Sequence, residues 1–360
     1  MKNNISSYQW LAMLMAPVEP MLMMNFAKLF VRATGRGSYL EILLIAALTF
    51  LFLAATITVS KWNCFFSLHQ SVADLWGIKS AKIILFLIAF AFLFYAVVTL
   101  DIYIFITKLY FLPKTPTLII VLLLFLPTAY MAYCGFRTYT QMTTASILAL
   151  ILFLSIFLFT KNNYMASNLF PLTDFKGTEI LLSLPFLFLP APAIAASFIL
   201  LPICHDRQKL YVKSAIYAGI IAILMLFTYA MGMMYFGETI LSKLTLPFFN
   251  LSTYFKGNLL ERFDIFFMLA LLPSLNIFSA FGFSVFMLIQ KDLLIHANTQ
   301  RPRTTVLCWS ILTIGAALFF LYRLSLWEVY RWCNCGALIL AGVLALINLL
   351  ASGKRRRTTC

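Results

Sequence analysis

Long apolar stretches alternate with short polar connectors along the whole chain, and their lengths predict the elements. A helix that crosses a bilayer needs about 20 mostly apolar residues. Ten stretches meet that length: about Tyr8–Val31, Tyr39–Val59, Ala81–Ile106, Pro116–Tyr133, Met142–Thr160, Glu179–Ile203, Leu210–Phe236, Leu259–Ile289, Thr304–Tyr322 and Trp327–Leu350. The runs are continuous, as in Ile83–Val98, and lack the alternation of outer-membrane strands. The expected architecture is an all-α polytopic membrane protein of about ten transmembrane helices, one domain over residues 1–360, with 351–360 as a basic tail.

Two of these stretches are interrupted in the middle. Span 1 carries Ala16-Pro17-Val18-Glu19-Pro20, and span 6 carries Leu189-Pro190-Ala191-Pro192-Ala193 with Pro185 one turn earlier. Proline removes an N–H and clashes with the preceding turn, so two in close succession should interrupt a helix. Freed backbone groups at membrane depth are tolerated only inside protein or against a cavity. The interrupted spans open two halves of five, the pattern that points to a transporter-type binding site. Simple proline kinks are the competing reading. The longest outer connector is Gly237–Asn258, between spans 7 and 8, suited to cover an outer vestibule or form a short interfacial helix.

Composition sharpens the class. Of 360 residues, 62% are apolar and only 11% charged, against roughly 25% charged in a soluble domain. Mean hydropathy is +0.94. A soluble enzyme and a nucleic-acid module are excluded. The net charge of +15 therefore reads as topology signal and lipid-headgroup contact with the bilayer. With ten spans both termini share a side. The cluster Lys354-Arg355-Arg356-Arg357 makes that side cytoplasmic, together with His205–Lys209 and the Lys291, Arg301 and Arg303 connector. Met1–Tyr8 is polar with one lysine and does not read as a cleavable signal.

Chemistry-bearing motifs are few. The seven cysteines include a lone Cys333-Asn334-Cys335, and His69, His205 and His296 are scattered, so no metal ligand set is expected. Nucleophile elbows, phosphate loops and dinucleotide fingerprints are absent, so neither an enzyme nor a cofactor is expected.

Several segments together resemble one family. They are Ile5-Ser6-Ser7-Tyr8-Gln9, Tyr133-Cys134-Gly135-Phe136-Arg137-Thr138, Asn168-Leu169-Phe170-Pro171-Leu172, Leu244-Thr245-Leu246-Pro247 and Leu259-Leu260-Glu261-Arg262-Phe263-Asp264. Their order and spacing are similar to the bacterial endospore germination permeases, the B subunits of nutrient germinant receptors. These belong to the amino acid–polyamine–organocation transporter superfamily. The resemblance implies a LeuT-like five-plus-five inverted repeat, about 8–160 and 179–322, with broken helices 1 and 6. The chain departs from relatives at span 1, where they carry glycine-containing small residues and it has Pro17, Glu19 and Pro20.

Candidate ligand-binding residues follow from the breaks and from this frame. They are Pro17, Val18 and Glu19 in span 1, and Leu189, Pro190 and Ala191 in span 6. The resemblance places span 3 beside the site, adding Tyr95 and Thr99. Span 8 contributes Asn276 and Ser279, an i,i+3 pair that either binds ligand or joins helices. Glu19 is the most unusual, since a carboxylate mid-span costs about 2.5–3.5 kcal/mol on insertion scales. It carries a proton, meets a ligand ammonium, or caps N–H groups at the break. Asp101 is expected to be interfacial. The implied function is a receptor subunit that senses a small nutrient, an amino acid first, in the spore inner membrane. It would work with a second membrane subunit and a lipoprotein. A secondary amino-acid transporter coupled to H⁺ or Na⁺ is the alternative.

Overall fold

A computed structural model describes residues 5–159, 164–170, 177–254, 264–295, 302–320 and 326–358. The fold is helical, and no strand occurs among the described residues. The first apolar stretch forms α1 (Ser7–Met15), α2 (Glu19–Met24) and α3 (Phe26–Thr34), followed by α4 (Ser38–Trp62), α5 (Leu68–Ile106), α6 (Thr117–Cys134) and α7 (Phe136–Phe159). The sixth stretch forms α8 (Gly177–Leu187) and α9 (Ala191–Leu200). Then come α10 (Leu210–Leu241), α11 (Pro247–Tyr254), α12 (Asp264–Ile295), α13 (Pro302–Phe320) and α14 (Leu326–Thr358). Within the described residues each of the apolar stretches is mostly helical. Among the described residues, six helical stretches are long and apolar enough to cross a membrane, and the α8–α9 pair, bent by 44°, makes up to seven.

Element ends differ from the sequence expectation in four places. α5 starts at Leu68, because Ser67 and Gln70 close a capping box. It then turns at Gly77, whose φ of 85° suits glycine. α7 starts at Phe136. α10 runs to Leu241 across a second positive-φ turn at Gly237. α14 continues through the basic tail to Thr358, since Lys and Arg are good helix formers and suit a helix C-terminus. The 237–258 connector contains α11, the short helix anticipated there.

α12 is the central helix: 78% of its apolar stretch is buried, against 33% for α14. It packs on α5, α6 and α7, while α14 packs on α5 and α9, and α10 on α4. Gly282 permits the α12–α5 contact, since a Cβ there would lie 2.6 Å from the Phe92 carbonyl oxygen and 2.8 Å from the Ala96 nitrogen.

Polar ties gather at the two ends of the bundle. At one end, His205 N–H donates to the Ile5 carbonyl at 3.1 Å, and Ser7 donates to Asp206 at 2.9 Å. Lys213 pairs with Asp206 at 3.4 Å. The Ser7 hydroxyl and the Gln208 N–H hold the Asp206 carboxyl below its ordinary range, with Lys213 adding to the effect. At this end Arg207 lies over Phe65 at 4.3 Å and Arg355 over Phe66 at 3.9 Å. Arg355 also pairs with Asp74. The other end is tied by Arg36 and Glu238 at 3.0 Å.

Candidate functional site

The break in span 1 is a turn over Ala16–Val18. Pro17 has no N–H to offer Met13, so Ala16 donates to that carbonyl at 3.2 Å, and Val18 donates to Met15 at 3.0 Å. The Leu14 carbonyl, which would ordinarily take the Val18 N–H, accepts instead from the Tyr217 hydroxyl of α10 at 2.6 Å. Span 6 repeats the device. Residue 190 is proline, so the Phe186 carbonyl loses its helical donor and accepts from Asn334 Nδ2 of α14 at 3.3 Å. The observed interruption covers Phe188–Pro190, at the start of the Leu189–Ala193 segment.

Glu19 opens α2 and is 2% exposed. Its Oε1 accepts from Ser274 of α12 at 2.8 Å and its Oε2 from Ser146 of α7 at 2.9 Å. Two hydroxyls therefore clamp the carboxylate, one on each oxygen. No lysine, arginine or histidine pairs with it among the described residues. The N-cap of α2 is Val18, with no side-chain cap bond, and the bonds that Glu19 accepts come from the two hydroxyls and from no main-chain N–H among the described residues.

The remaining candidates divide. Pro17 and Val18 adjoin Glu19 and are buried, as are Leu189, Pro190 and Ala191 at the second break. Tyr95 is buried against Phe278 and Phe281 of α12 and Tyr330 of α14, with ring centroids 6.1–6.2 Å apart. It shares a cavity of about 380 Å³ with Pro192, Ala195 and Cys333. Thr99 donates to its own helix, at the Tyr95 and Ala96 carbonyls, 3.0 Å each. Asn276 turns toward α6, donating to the Leu124 carbonyl at 3.2 Å. Ser279 donates to Asn276 O at 2.9 Å and lies 3.3 Å from the Thr128 hydroxyl. Asn276 and Ser146 both line a groove of about 500 Å³ between α5, α6, α7 and α12.

Asp101, expected near the interface, is packed inside the protein. It is 1% exposed, and neither carboxylate oxygen has a hydrogen-bond partner among the described residues. Glu41 is a third buried carboxylate, accepting from Ser183 at 2.6 Å and Thr34 at 3.1 Å. The sequence reading passed over Glu41 because it lies two residues inside span 2 and looks terminal. Ser146, Tyr330 and Asn334 carried no signal of their own in a chain with many serines and tyrosines. His205 lies on the end tie, and among the described residues no group of His, Cys, Asp and Glu could hold a metal. Pro171, Leu172 and the Leu259–Phe263 motif fall outside the described residues.

Fold and site together define a polytopic helical membrane protein whose first and sixth apolar stretches are broken, with a clamped carboxylate at the first break. The family model for spore germination proteins of the permease type matches residues 5–324. The chain belongs to that family and is a germination-related multi-pass membrane protein. Comparison with curated proteins finds no match.

Proposed function

We propose that the chain is the membrane subunit of a spore germinant receptor, seated in the spore inner membrane with a second membrane subunit and a lipoprotein. It senses a small nutrient, an amino acid, between the two broken spans. Binding favours one conformation over another and so biases the attached complex. The observation that carries this reading is Glu19, a buried carboxylate clamped by Ser146 and Ser274 with no cation paired to it among the described residues. A ligand ammonium supplies the missing charge, and a charge-assisted bond is stronger than a neutral one.

The test is a dose–response of spores to amino acids, with membrane protein quantified in parallel. Glu19→Gln is expected to raise the half-maximal concentration roughly ten- to a hundredfold, from about 1.5–3 kcal/mol of lost interaction. Protein abundance is expected to hold, because the change removes an expensive buried charge. An unchanged dose–response would place Glu19 outside the site. Uptake of labelled amino acid by vesicles of the wild type, abolished in Glu19→Gln, would favour the transporter reading.

A further inference from the structure

We infer that Glu41 is a clasp on the broken spans: it binds the half-helices α3 and α8 to α4, and a ligand reaches the breaks only when it releases them. This rests on the reading that the broken spans enclose the nutrient.

In this structure the breaks are sealed. Val18 and Ala191 are fully buried and Leu189 is 1% exposed, so a water-soluble ligand enters only if something moves. Each broken span places one half toward each end of the bundle. α1 packs on α9, at the end tied by Ile5 and Cys204. α3 packs on α8, at the end where Arg36 pairs with Glu238. Glu41 is fully buried between this second pair. One of its oxygens, Oε1, accepts from Ser183 of α8 at 2.6 Å. The other, Oε2, accepts from Thr34, the last residue of α3, at 3.1 Å. One carboxylate on α4 therefore holds a half of each broken span. Arg331 of α14 acts on Glu41 electrostatically and lies over the Phe186 ring of α8 at 5.4 Å, so a fourth helix steadies the same half.

The bonds are built to open. Both donors are side chains, so releasing them breaks no helical ladder. Each donor also has a second acceptor in its own helix. Ser183 lies 3.2 Å from the Ile180 carbonyl and Thr34 3.3 Å from the Phe30 carbonyl. A hydroxyl that leaves Glu41 thus falls back on its own main chain and is not orphaned. The released carboxylate regains water, which it gives up at a cost when buried. Both arrangements satisfy their polar groups, which is what a two-state element requires. Glu19 differs, since its clamps come from α7 and α12, neither of which is a half-helix.

The experiment measures how fast a small water-soluble thiosulfonate labels Val18→Cys in the purified full-length protein in detergent, without ligand. Native Cys204, buried at the opposite end of the bundle, is kept as a control, and the other native cysteines are replaced. Ser183→Ala and Thr34→Val each remove one hydroxyl from Glu41. Each is expected to speed labelling at position 18 about tenfold, the usual effect of losing a hydrogen bond to a charged group. Thr34→Ser keeps the hydroxyl and should label at the parent rate, and Cys204 should stay slow throughout. Unchanged rates in both hydroxyl-less variants overturn the inference. So does an equal rise at Cys204, which would mean general loosening, or a Thr34→Ser rate matching Thr34→Val. Ala191→Cys reports in the same way should Val18→Cys not fold. The underlying reading is tested separately, by labelling the parent in an equimolar mixture of the protein amino acids, which is expected to slow it. Rates that depend on the hydroxyls, with no protection by the mixture, uphold the clasp and overturn the amino-acid reading. Protection with rates that ignore the hydroxyls upholds that reading and overturns the clasp.

Discussion

Each broken helix frees a carbonyl that a side chain from another helix then satisfies: Tyr217 for Leu14 and Asn334 for Phe186. A buried acceptor left without its donor costs about 1–3 kcal/mol. Tyr217 is fully buried, and its hydroxyl has this carbonyl as its partner. Tyr217→Phe is therefore expected to lose about that much stability while keeping the ring's packing. Thermal unfolding in detergent measures it, and an unshifted transition would mean that water serves the Leu14 carbonyl as well. At this scale the sequence was partly legible. Glu19 stood out because a carboxylate inside an apolar run is rare. Its clamps did not, because a serine in a membrane helix bonds its own backbone equally well, as Ser146 also does to Thr143 O at 2.8 Å. Asn276 shows the converse: its spacing from Ser279 marked a face, but whether that face met ligand or α6 depended on packing that spacing does not encode.

At the scale of elements, proline and apolar run length carried most of the information. Both breaks fall where Pro17, Pro20, Pro190 and Pro192 remove main-chain donors. The helical segment before Gly77 was missed although Ser67 and Gln70 spell its start, because its polar composition reads as connector. Helix contacts were not legible at all, and Gly282 explains why. Nothing around it in the sequence distinguishes it from Gly219. In the structure a Cβ at Gly282 would collide with the backbone of α5, whereas one at Gly219 meets nothing within 4 Å. Close approach through small residues is how membrane helices associate. Gly282→Ala is expected to destabilise by about 1–3 kcal/mol, the usual cost of overpacking. Gly219→Ala should be neutral or stabilising by about 0.5–1 kcal/mol, as alanine is the better helix former. Parallel thermal unfolding of the two variants checks the contrast, and equal effects would contradict the close α5–α12 packing.

For the whole molecule, charge bias predicted that both termini and the His205–Lys209 connector share a side, and the ties at the bundle ends gather these segments at one end. The N-terminal segment, the 204–209 connector, the turn after α4 and the end of α14 meet at one end, through Ile5 with Cys204, Arg207 with Phe65, and Arg355 with Phe66 and Asp74. Arg36, Glu238 and the Phe170 carbonyl meet at the other. The open topological question is whether α8 and α9 cross the membrane as one broken span or return to the side they entered. Their bend of 44° argues for crossing, since a re-entrant pair must nearly reverse direction. Crossing puts Ser167 and Gln208 on opposite faces and Gln208 and Gly353 on the same one. All three positions are exposed. With the seven native cysteines replaced, single cysteines at these sites can be labelled by a membrane-impermeant thiol reagent on intact protoplasts. Ser167→Cys is expected to react from outside, and Gln208→Cys and Gly353→Cys only after the membrane is opened. Reaction of both Ser167→Cys and Gln208→Cys from outside would make the pair re-entrant. It would also remove the correspondence between the first and sixth spans on which a shared pocket depends.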